Sequence, residues 1–432
     1  MMNHQEKHQG NDLGNDRRIR ALMEKGAAIP APASVEIGTD VDIDRISGEG
    51  TVIHAGCRLH GSATFIAKGA VIGSEGPVTV ENCHIGPHAE LGSGYFTETV
   101  MLANAKAGTG THSRKGTIVE EYASLAHTVG VKQTILFPFV TLGSLINFCD
   151  CLMAGGTSSR NHSEVGSSYI HFNYSPNQDK ATASIFGDVP RGVMLREAPI
   201  FLGGQGGAVG PLRMAFGTVT AAGTICRKDE LTGGQLVIER ALKGGSFSYQ
   251  PGIYVSIRRL LANNINYVAN LIALMRWYDY VRPMFIHPSD FPESLLDGLK
   301  EKLGYGVAER IKQLDRLCDN LPRSIHMYKS GKQTVSEKLL AQKEELFEKK
   351  EMLAEMLALL LKNETGDADS RDDFLTRVEQ AMYDFGSNDY LSVIHAIDDD
   401  DAAVGTIWLR SVVDNVVDRV GDLLPSFNLI VL

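Results

Sequence analysis

The sequence has no long apolar run, no excess of positive charge and few aromatic residues. Its most apolar stretch, residues 268–275, is far shorter than the roughly 18 residues that a membrane span needs. The N-terminus is polar and lacks the apolar core of an export signal. A net charge of −10 argues against general binding to nucleic acid, which requires a basic surface. These absences predict a cytoplasmic protein that binds neither membranes nor nucleic acid.

Cysteine is also sparse, and its spacing gives little sign of a metal site. The chain has 6 cysteines, of which only Cys149 and Cys151 are close in sequence. A single close pair is a weak metal signal, whereas buried reduced thiols commonly act as small apolar residues. We therefore expect no bound metal.

What the sequence does have is a six-residue repeat of aliphatic side chains, often followed by glycine. A period of six is neither helical nor a simple strand alternation, and it is typical of a parallel β-helix in which three flat sides make one coil. The repeat is seen in the pairs Ile37/Ile43, Ile53/Leu59, Ile66/Ile72 and Ile85/Leu91 and in the series Val140, Ile146 and Leu152.

The composition divides the chain into three parts. Residues 1–30 form a polar N-terminal arm with a short helix, 31–235 carry the repeat, and 236–432 have helical spacing of apolar residues. Within the last part, leucines recur every seven residues between Leu339 and Leu360. This ladder fits either an extended amphipathic arm, an oligomer contact or a helix packed within its own subunit.

Four motifs in the repeat region occur in an order that resembles a known family. They are HFNYSPNQDK (171–180), IFGD (185–188), FLGG (201–204) and AAGTICRKD (221–229). The order is similar to that in the acetyltransferase half of the bifunctional N-acetylglucosamine-1-phosphate uridyltransferase/glucosamine-1-phosphate acetyltransferase, a hexapeptide-repeat family. The resemblance covers residues 110–230 and implies a left-handed parallel β-helix (mainly β), here followed by an α-helical C-terminal domain.

In that family an Asn-Tyr pair and a following Lys line the sugar-phosphate site, and Asn173, Tyr174 and Lys180 match them. Lys offers a point charge to a phosphate, Tyr a hydroxyl and Asn an amide to the sugar. A turn rich in Asn, Ser and Pro that binds nothing is the alternative.

In the same family an Arg and, eighteen residues later, a Lys bind the phosphate of the sugar-phosphate substrate. Arg114 and Lys132 have this spacing, and Lys115 is an alternative to Arg114. If they bind no phosphate, Arg114 and Lys132 would be solvated surface charges.

The catalytic base of the family has no direct counterpart. The segment SLINFCD (144–150) matches the family's HLxYLGD, so Ser144 stands where the essential His is expected, and serine alone is a poor base at neutral pH. About one extra hexapeptide follows, which we expect to bring His162 close to the same cleft, with His171 beside Asn173. The resemblance thus leaves His162 or His171 as a displaced base, whereas ordinary loop histidines are the alternative; His127 lies one coil earlier.

Small residues let acetyl-CoA approach the backbone in this family, and Gly204 and Ala222 occupy the matching positions. The surrounding run 203–210 is rich in glycine but does not fit a dinucleotide-binding motif, since no helical pattern follows it. Tight turns at β-helix corners explain the glycines without a ligand.

Two functions follow from the resemblance. The first is a sugar-phosphate or nucleotide-sugar acyltransferase-like enzyme that uses acetyl-CoA or another acyl-CoA and assembles as a homotrimer with sites between subunits. The second is a non-catalytic, pyrophosphorylase-related protein that binds a sugar nucleotide such as UDP-N-acetylglucosamine or scaffolds partners. Nucleotidyltransfer is not expected, because the family's LxxGxGTRM segment is missing.

Overall fold

A computed structural model describes residues 4–177, 179–239, 244–246, 249–330 and 336–429, with only the backbone of 4–13. The repeat region forms a left-handed parallel β-solenoid of about 11 turns between residues 36 and 237, and a helical region follows it. The predicted fold class is therefore confirmed. Within the described residues, no helix is long and apolar enough to cross a membrane.

Three faces of short parallel strands enclose the solenoid core. The first face contains Glu36–Ile37, Arg58–His60, Val78–Glu81, Gly94–Thr97, Thr111–Arg114, Val129–Leu136, Ile146–Met153, Ile170–Phe172, Gly207–Val209 and Ile225–Cys226. The second face contains Phe65–Ile66, His84–Ile85, Thr99–Met101, Thr117–Val119, Ser184–Phe186 and Arg213–Met214. The third face contains Val52–Ile53, Val71–Ile72, Glu90–Leu91, Lys106–Ala107, Ser124–Leu125, Thr141–Leu142, Glu164–Val165, Phe201–Leu202, Val219–Thr220 and Leu236–Val237.

The six-residue spacing produces this architecture because each strand sends one aliphatic side chain into the prism. Leu59, Ile66 and Ile72 are such residues on the three faces of one coil, and all are fully buried. Each coil pairs in register with the next, so these side chains stack along the axis. The eight-residue strands Val129–Leu136 and Ile146–Met153 continue around the corner from the first face to the second.

Three insertions interrupt the coils, one of which, residues 187–200 with the short helix Val189–Gly192, leaves the corner between the second and third faces. The strands Gly156–Ser158 and Asn161–His162 form an antiparallel hairpin that leaves the corner between the second and third faces. Residues 173–177 and 179–183 lie in a loop at the corner between the first and second faces.

Ten described helices complete the chain. They are α1 (His4–Glu24), α2 (Val189–Gly192), α3 (Arg258–Tyr280), α4 (Glu293–Asp319), α5 (Leu321–Ser330), α6 (Glu337–Glu348), α7 (Lys350–Lys362), α8 (Ala368–Phe385), α9 (Tyr390–Ala396) and α10 (Asp399–Leu423). Short 3₁₀ turns lie at Pro32–Ser34, Ile43–Arg45, Arg282–Phe285 and Pro425–Phe427.

The leucine ladder packs within its own subunit. Leu346 on α6 and Leu353 and Leu360 on α7 are buried against the other helices. The ladder is divided between two helices, so it is not an extended arm.

Helix α4 packs on the second face and runs along the solenoid axis. Its Gly298 lies against His84, and its Arg310 reaches Asp150. Asp150 immediately precedes the second-face part of the strand Ile146–Met153, which lies four coils beyond the strand His84–Ile85. Twelve helical residues rise roughly 18 Å. Four coils rise about 19 Å at the usual strand spacing. The rise of the helix between Gly298 and Arg310 therefore matches the rise of four coils, which allows one helix to contact successive coils.

Candidate functional site

The corner between the third and first faces carries an aligned column of five residues, one from each of five successive coils. His127, Ser144, Ser167, Gly204 and Ala222 occupy equivalent turn positions in successive coils. The carbonyl oxygen of each of the first four accepts an N–H from the turn of the following coil, at 2.8–3.0 Å. We call this column the candidate catalytic corner, and its backbone is held by a continuous ladder of hydrogen bonds.

A serine–histidine contact lies on this corner. The Nδ1 atom of His127 is 2.8 Å from Oγ of Ser144, and the Ser144 backbone N–H donates to Oγ of Ser167 at 3.2 Å. His127 is exposed and Ser144 is half-buried, so a ligand can reach both. An imidazole within hydrogen-bond distance of a hydroxyl can accept its proton. The pair can therefore offer a base at the position where Ser144 alone could not.

Sequence reasoning did not assign His127 to the site, although a signal was present. The two residues are 17 positions apart, which is one coil of this solenoid. A side chain one coil away lies about 4.8 Å along the axis, within reach of its neighbour.

Gly204 and Ala222 lie on the same corner, as a pair of acyl-CoA contacts would require. A Cβ added to Gly204 would meet the carbonyl oxygen of Ser167 at 2.9 Å, so a larger residue would disturb the turn. Ala222 is exposed and small. Together they leave backbone accessible on this corner two and three coils beyond Ser144, or roughly 10–14 Å along the axis.

Arg114 and Lys132 are brought together at the opposite edge of the first face. They are register partners in adjacent coils, as their eighteen-residue spacing predicts, and both are half-buried. Arg114 Nη2 donates to Cys149 Sγ at 3.3 Å. Burial raises the pKa of the Cys149 thiol to about 11, so this thiol is neutral at neutral pH and does not balance the charge of the guanidinium.

The neighbouring Lys115 is engaged elsewhere. Its Nζ is 2.9 Å from Glu98 Oε2 and 3.9 Å from the ring centre of Tyr305 on α4. Its charge therefore serves the contact with the helical region, and Arg114 is the better candidate for a phosphate contact.

The Asn173 side chain lies at this same edge but is already bonded. Its Nδ2 donates to Asp150 Oδ2 at 2.5 Å, and Asp150 Oδ1 accepts from Arg310 Nη2 at 2.6 Å. Tyr174, in contrast, is 59% exposed. The amide thus belongs to a buried polar cluster, whereas the tyrosine hydroxyl is available to a ligand.

The helical region holds the loop that contains these residues. Asp179 Oδ2 accepts from the hydroxyls of Ser175 and Tyr254, each at 2.6 Å. The carbonyl oxygen of Lys180 accepts from Arg310 Nη1 at 3.4 Å, while the Lys180 side chain is half-buried. These bonds fix the loop at the corner between the first and second faces.

His171 is placed inside the solenoid rather than beside a cleft. It is 1% exposed, its Nδ1 is 2.7 Å from the carbonyl oxygen of Cys149, and its Nε2 is 2.7 Å from Ser184 Oγ. Burial lowers the pKa of His171 to about 4. With both ring nitrogens occupied, this imidazole has no free position for a substrate.

His162 lies on the hairpin at a different corner from Asn173. Its Nδ1 is 3.1 Å from the carbonyl oxygen of Ser159, and its Nε2 is 3.8 Å from Glu164 Oε2. The expectation that the extra hexapeptide would bring His162 beside the Asn173 cleft is not met, because the insertion follows the second face and Asn173 follows the first.

The cysteines stay reduced and buried, and no group of three His, Cys, Asp or Glu side chains within the described residues has the geometry of a metal site. For Cys149 and Cys151, burial raises the thiol pKa. These thiols therefore pack as neutral side chains.

The chain is similar to several proteins named bifunctional protein GlmU. The Micrococcus luteus protein is 26% identical over 253 residues, covering 57% of this chain and 46% of the relative. The proteins of Corynebacterium aurimucosum and Mycolicibacterium smegmatis are each 28% identical over 244 and 248 residues, covering 56% of this chain and 45% and 46% of theirs. No protein-family profile matches the chain.

The chain spans about half the length of these curated relatives. The similarity and the solenoid together confirm the predicted resemblance to this hexapeptide-repeat family.

Proposed function

We propose that this protein is an acyltransferase-like enzyme that moves an acyl group from acyl-CoA to a sugar phosphate or nucleotide sugar. The observation that carries the proposal is the hydrogen bond between His127 and Ser144 on the same corner as Gly204 and Ala222. One column of turns would thereby hold both the base and an open backbone for the thioester.

In the proposed reaction, the acceptor amine or hydroxyl attacks the thioester carbonyl carbon. His127 takes the acceptor proton, either directly or through the Ser144 hydroxyl, which passes its own proton to Nδ1 as it receives the new one. Turn N–H groups stabilise the oxyanion of the tetrahedral intermediate. Its collapse breaks the carbon–sulfur bond, and the protonated imidazole returns the proton to the CoA thiolate.

We further propose that Arg114, Lys132, Tyr174 and Lys180 bind the acceptor's phosphate and sugar. These residues lie at the edge of the first face that is opposite the candidate catalytic corner. A strand of four residues spans roughly 13 Å. A complete site consequently needs the candidate catalytic corner of one subunit and the phosphate-binding edge of another.

A homotrimer would meet this need, and the free faces support one. The helical region covers the second face, whereas large apolar side chains are exposed on and between the first and third faces. These side chains are Leu145, Ile170, Phe172, Phe201 and Val219. Burial of such a patch between subunits is the usual reason for its exposure on one chain. Light scattering of the purified protein should give three times the chain mass of 47.0 kDa.

The decisive experiment is titration and turnover with acetyl-CoA and glucosamine-1-phosphate or UDP-sugars. His127→Gln should retain acetyl-CoA binding and lose at least 100-fold in turnover, the usual scale for a general base. The control is His162→Gln, which removes a similar side chain at another corner. Loss of turnover with His162→Gln alone would instead assign the base to His162. Absence of both acetyl-CoA binding and turnover in the wild-type protein would refute the enzyme proposal.

A non-catalytic sugar-nucleotide binder or scaffold is the second candidate. The bonded state of Asn173 favours it, since its side-chain amide, which the resembling family uses for substrate, already donates to Asp150, and Arg310 in turn holds that aspartate. Calorimetry distinguishes the two proposals: UDP-N-acetylglucosamine binding without any heat from acetyl-CoA would support the binder, and heat from neither would support the scaffold.

A further inference from the structure

Two adjoining cavities lie where the C-terminal coils meet helices α3 and α10. The larger has a volume of about 540 Å³ and the smaller about 110 Å³. Arg213, Leu231 and Asn266 line both, so the Arg213 side chain stands at their common wall. This place is on the second-face side of the prism, away from the candidate catalytic corner between the third and first faces.

The walls of these cavities are basic although the chain is acidic. Five arginines and two aspartates line them, which gives 5 − 2 = +3, against −10 for the whole chain. The arginines are Arg191, Arg213, Arg258, Arg259 and Arg410, and the aspartates are Asp188 and Asp229. A local excess of this sign favours an anionic occupant.

Three of the arginines have partners within the protein. Arg191 forms a two-point contact with Asp188, at 2.8 and 2.5 Å. Arg259 Nη1 donates to the carbonyl oxygen of Pro211 at 2.8 Å and lies 3.4 Å from Asp229 Oδ1. Arg258 donates to two backbone carbonyl oxygens, those of residues 427 and 428, at 2.9 and 3.1 Å.

The guanidinium groups of Arg213 and Arg410 differ from these three. Across the residues that the structure describes, neither group forms an ion pair or donates a hydrogen bond. Arg213 Nε is shielded from solvent and has no acceptor, and burial lowers the pKa of Arg213 despite the nearby Asp229. The carboxylate near Arg410 is Asp414, whose own pKa is raised by burial.

A shielded N–H without an acceptor, such as Nε of Arg213, is costly, and two half-buried cations without a counter-charge favour a bound anion. We propose that Arg213 and Arg410 bind the phosphate group of a phosphate monoester. The apolar part of the ligand would lie in the larger cavity against Ala262, Ile265 and Val417. Two guanidinium groups suit a phosphate, because each offers paired N–H donors to its oxygens.

Phenyl phosphate is a suitable probe, since it joins a dianionic group to a small apolar one. Calorimetric titration of the full chain should show saturable binding of about one equivalent, weakened by added salt. Benzyl alcohol, which lacks the phosphate, should not bind. We expect a Kd of ~1 mM or tighter for this small ligand. The proposal would be overturned if the wild-type protein shows no saturable binding at phenyl phosphate concentrations up to 10-fold above ~1 mM.

Variants locate the binding. Arg213→Gln and Arg410→Gln should each weaken phenyl phosphate at least 10-fold. The matched control is Arg419→Gln, which removes an exposed arginine from the same helix α10 and should leave binding unchanged. Equal binding by wild type and both cavity variants would overturn the assignment. Melting curves identify any variant that does not fold, and the wild-type titration then decides alone. Acyl transfer at His127 is independent of this result.

Discussion

Arg310 Nη2 on helix α4 lies 2.6 Å from Asp150 Oδ1 at the corner between the first and second faces, with both side chains at most 5% exposed. The second carboxylate oxygen accepts from Asn173. One buried aspartate therefore joins the helical region, the solenoid and the loop with the predicted sugar-phosphate residues.

Breaking this pair should be strongly destabilising. Arg310→Met and Asp150→Asn should each cost about 3 kcal/mol in the free energy of unfolding, because each leaves a buried partner without its counter-charge. The double variant should cost less than the sum. Urea unfolding measures all three, with the exposed Arg316→Met on the same helix as a neutral control. Additive losses would show that the two side chains do not interact.

Gly298 should not tolerate a methyl group. A Cβ there would meet Cγ of His84 at 2.6 Å, so Gly298→Ala should lower stability by about 1–3 kcal/mol even though alanine favours helices. At Gly304, in the same helix, a Cβ would meet only Met275 Cε, at 4.0 Å. Gly304→Ala should therefore be neutral or stabilising in thermal melts. Equal effects at the two glycines would contradict the close packing of α4 on the second face.

His84 should make the protein sensitive to mild acid. Burial, aided by Lys302, lowers its pKa to about 4, whereas an unfolded histidine titrates near 6.5. The unfolded state thus binds more protons in this window, and stability present above pH 6.5 is lost as pH falls towards 4, by about 3 kcal/mol. His84→Gln should reduce the pH slope of unfolding in urea, and the exposed His326→Gln should not. An unchanged slope in His84→Gln would argue that this imidazole protonates in the folded state.

Glu120 should have the opposite effect. Burial and the neighbouring Glu121 raise its pKa, and Tyr278 donates to its Oε1. The folded state holds a proton that the unfolded chain releases above about pH 4.5, so this contribution weakens as pH rises. The free energy of unfolding of Glu120→Gln, taken relative to that of wild type, should be higher at pH 9 than at pH 6. The exposed Glu49→Gln serves as the control, and a wild-type-like pH profile in Glu120→Gln would contradict a protonated Glu120.

The fold could be predicted because its signal is local. Each aliphatic residue of the repeat, such as Ile72 or Ile85, is buried by its own coil, so six-residue spacing is sufficient. The proximity of Arg114 and Lys132 has the same local origin, since one coil of eighteen residues separates these register partners, whereas their role with a phosphate stays a prediction.

The predicted base illustrates why the site was harder to read. The proximity of His127 to Ser144 depends on a coil of 17 rather than eighteen residues. The position of His162 depends on the corner at which the hairpin leaves the solenoid. The inward direction of the His171 side chain depends on how the strand that follows the hairpin alternates between inward and outward residues. Helical periodicity predicts α4 but not the face it covers. These features are set by tertiary packing, which one sequence specifies only indirectly.

The match between α4 and the coil spacing also limits how this solenoid can change in length. An isolated solenoid accepts an additional coil anywhere, since each coil contacts only its neighbours. Here Gly298 and Arg310 fix the number of coils between His84 and Asp150, because an inserted coil would separate these contacts by about 4.8 Å. Only a simultaneous insertion of roughly three residues in α4 would restore them. Helix α4 and the solenoid coils between His84 and Asp150 must therefore lengthen or shorten together.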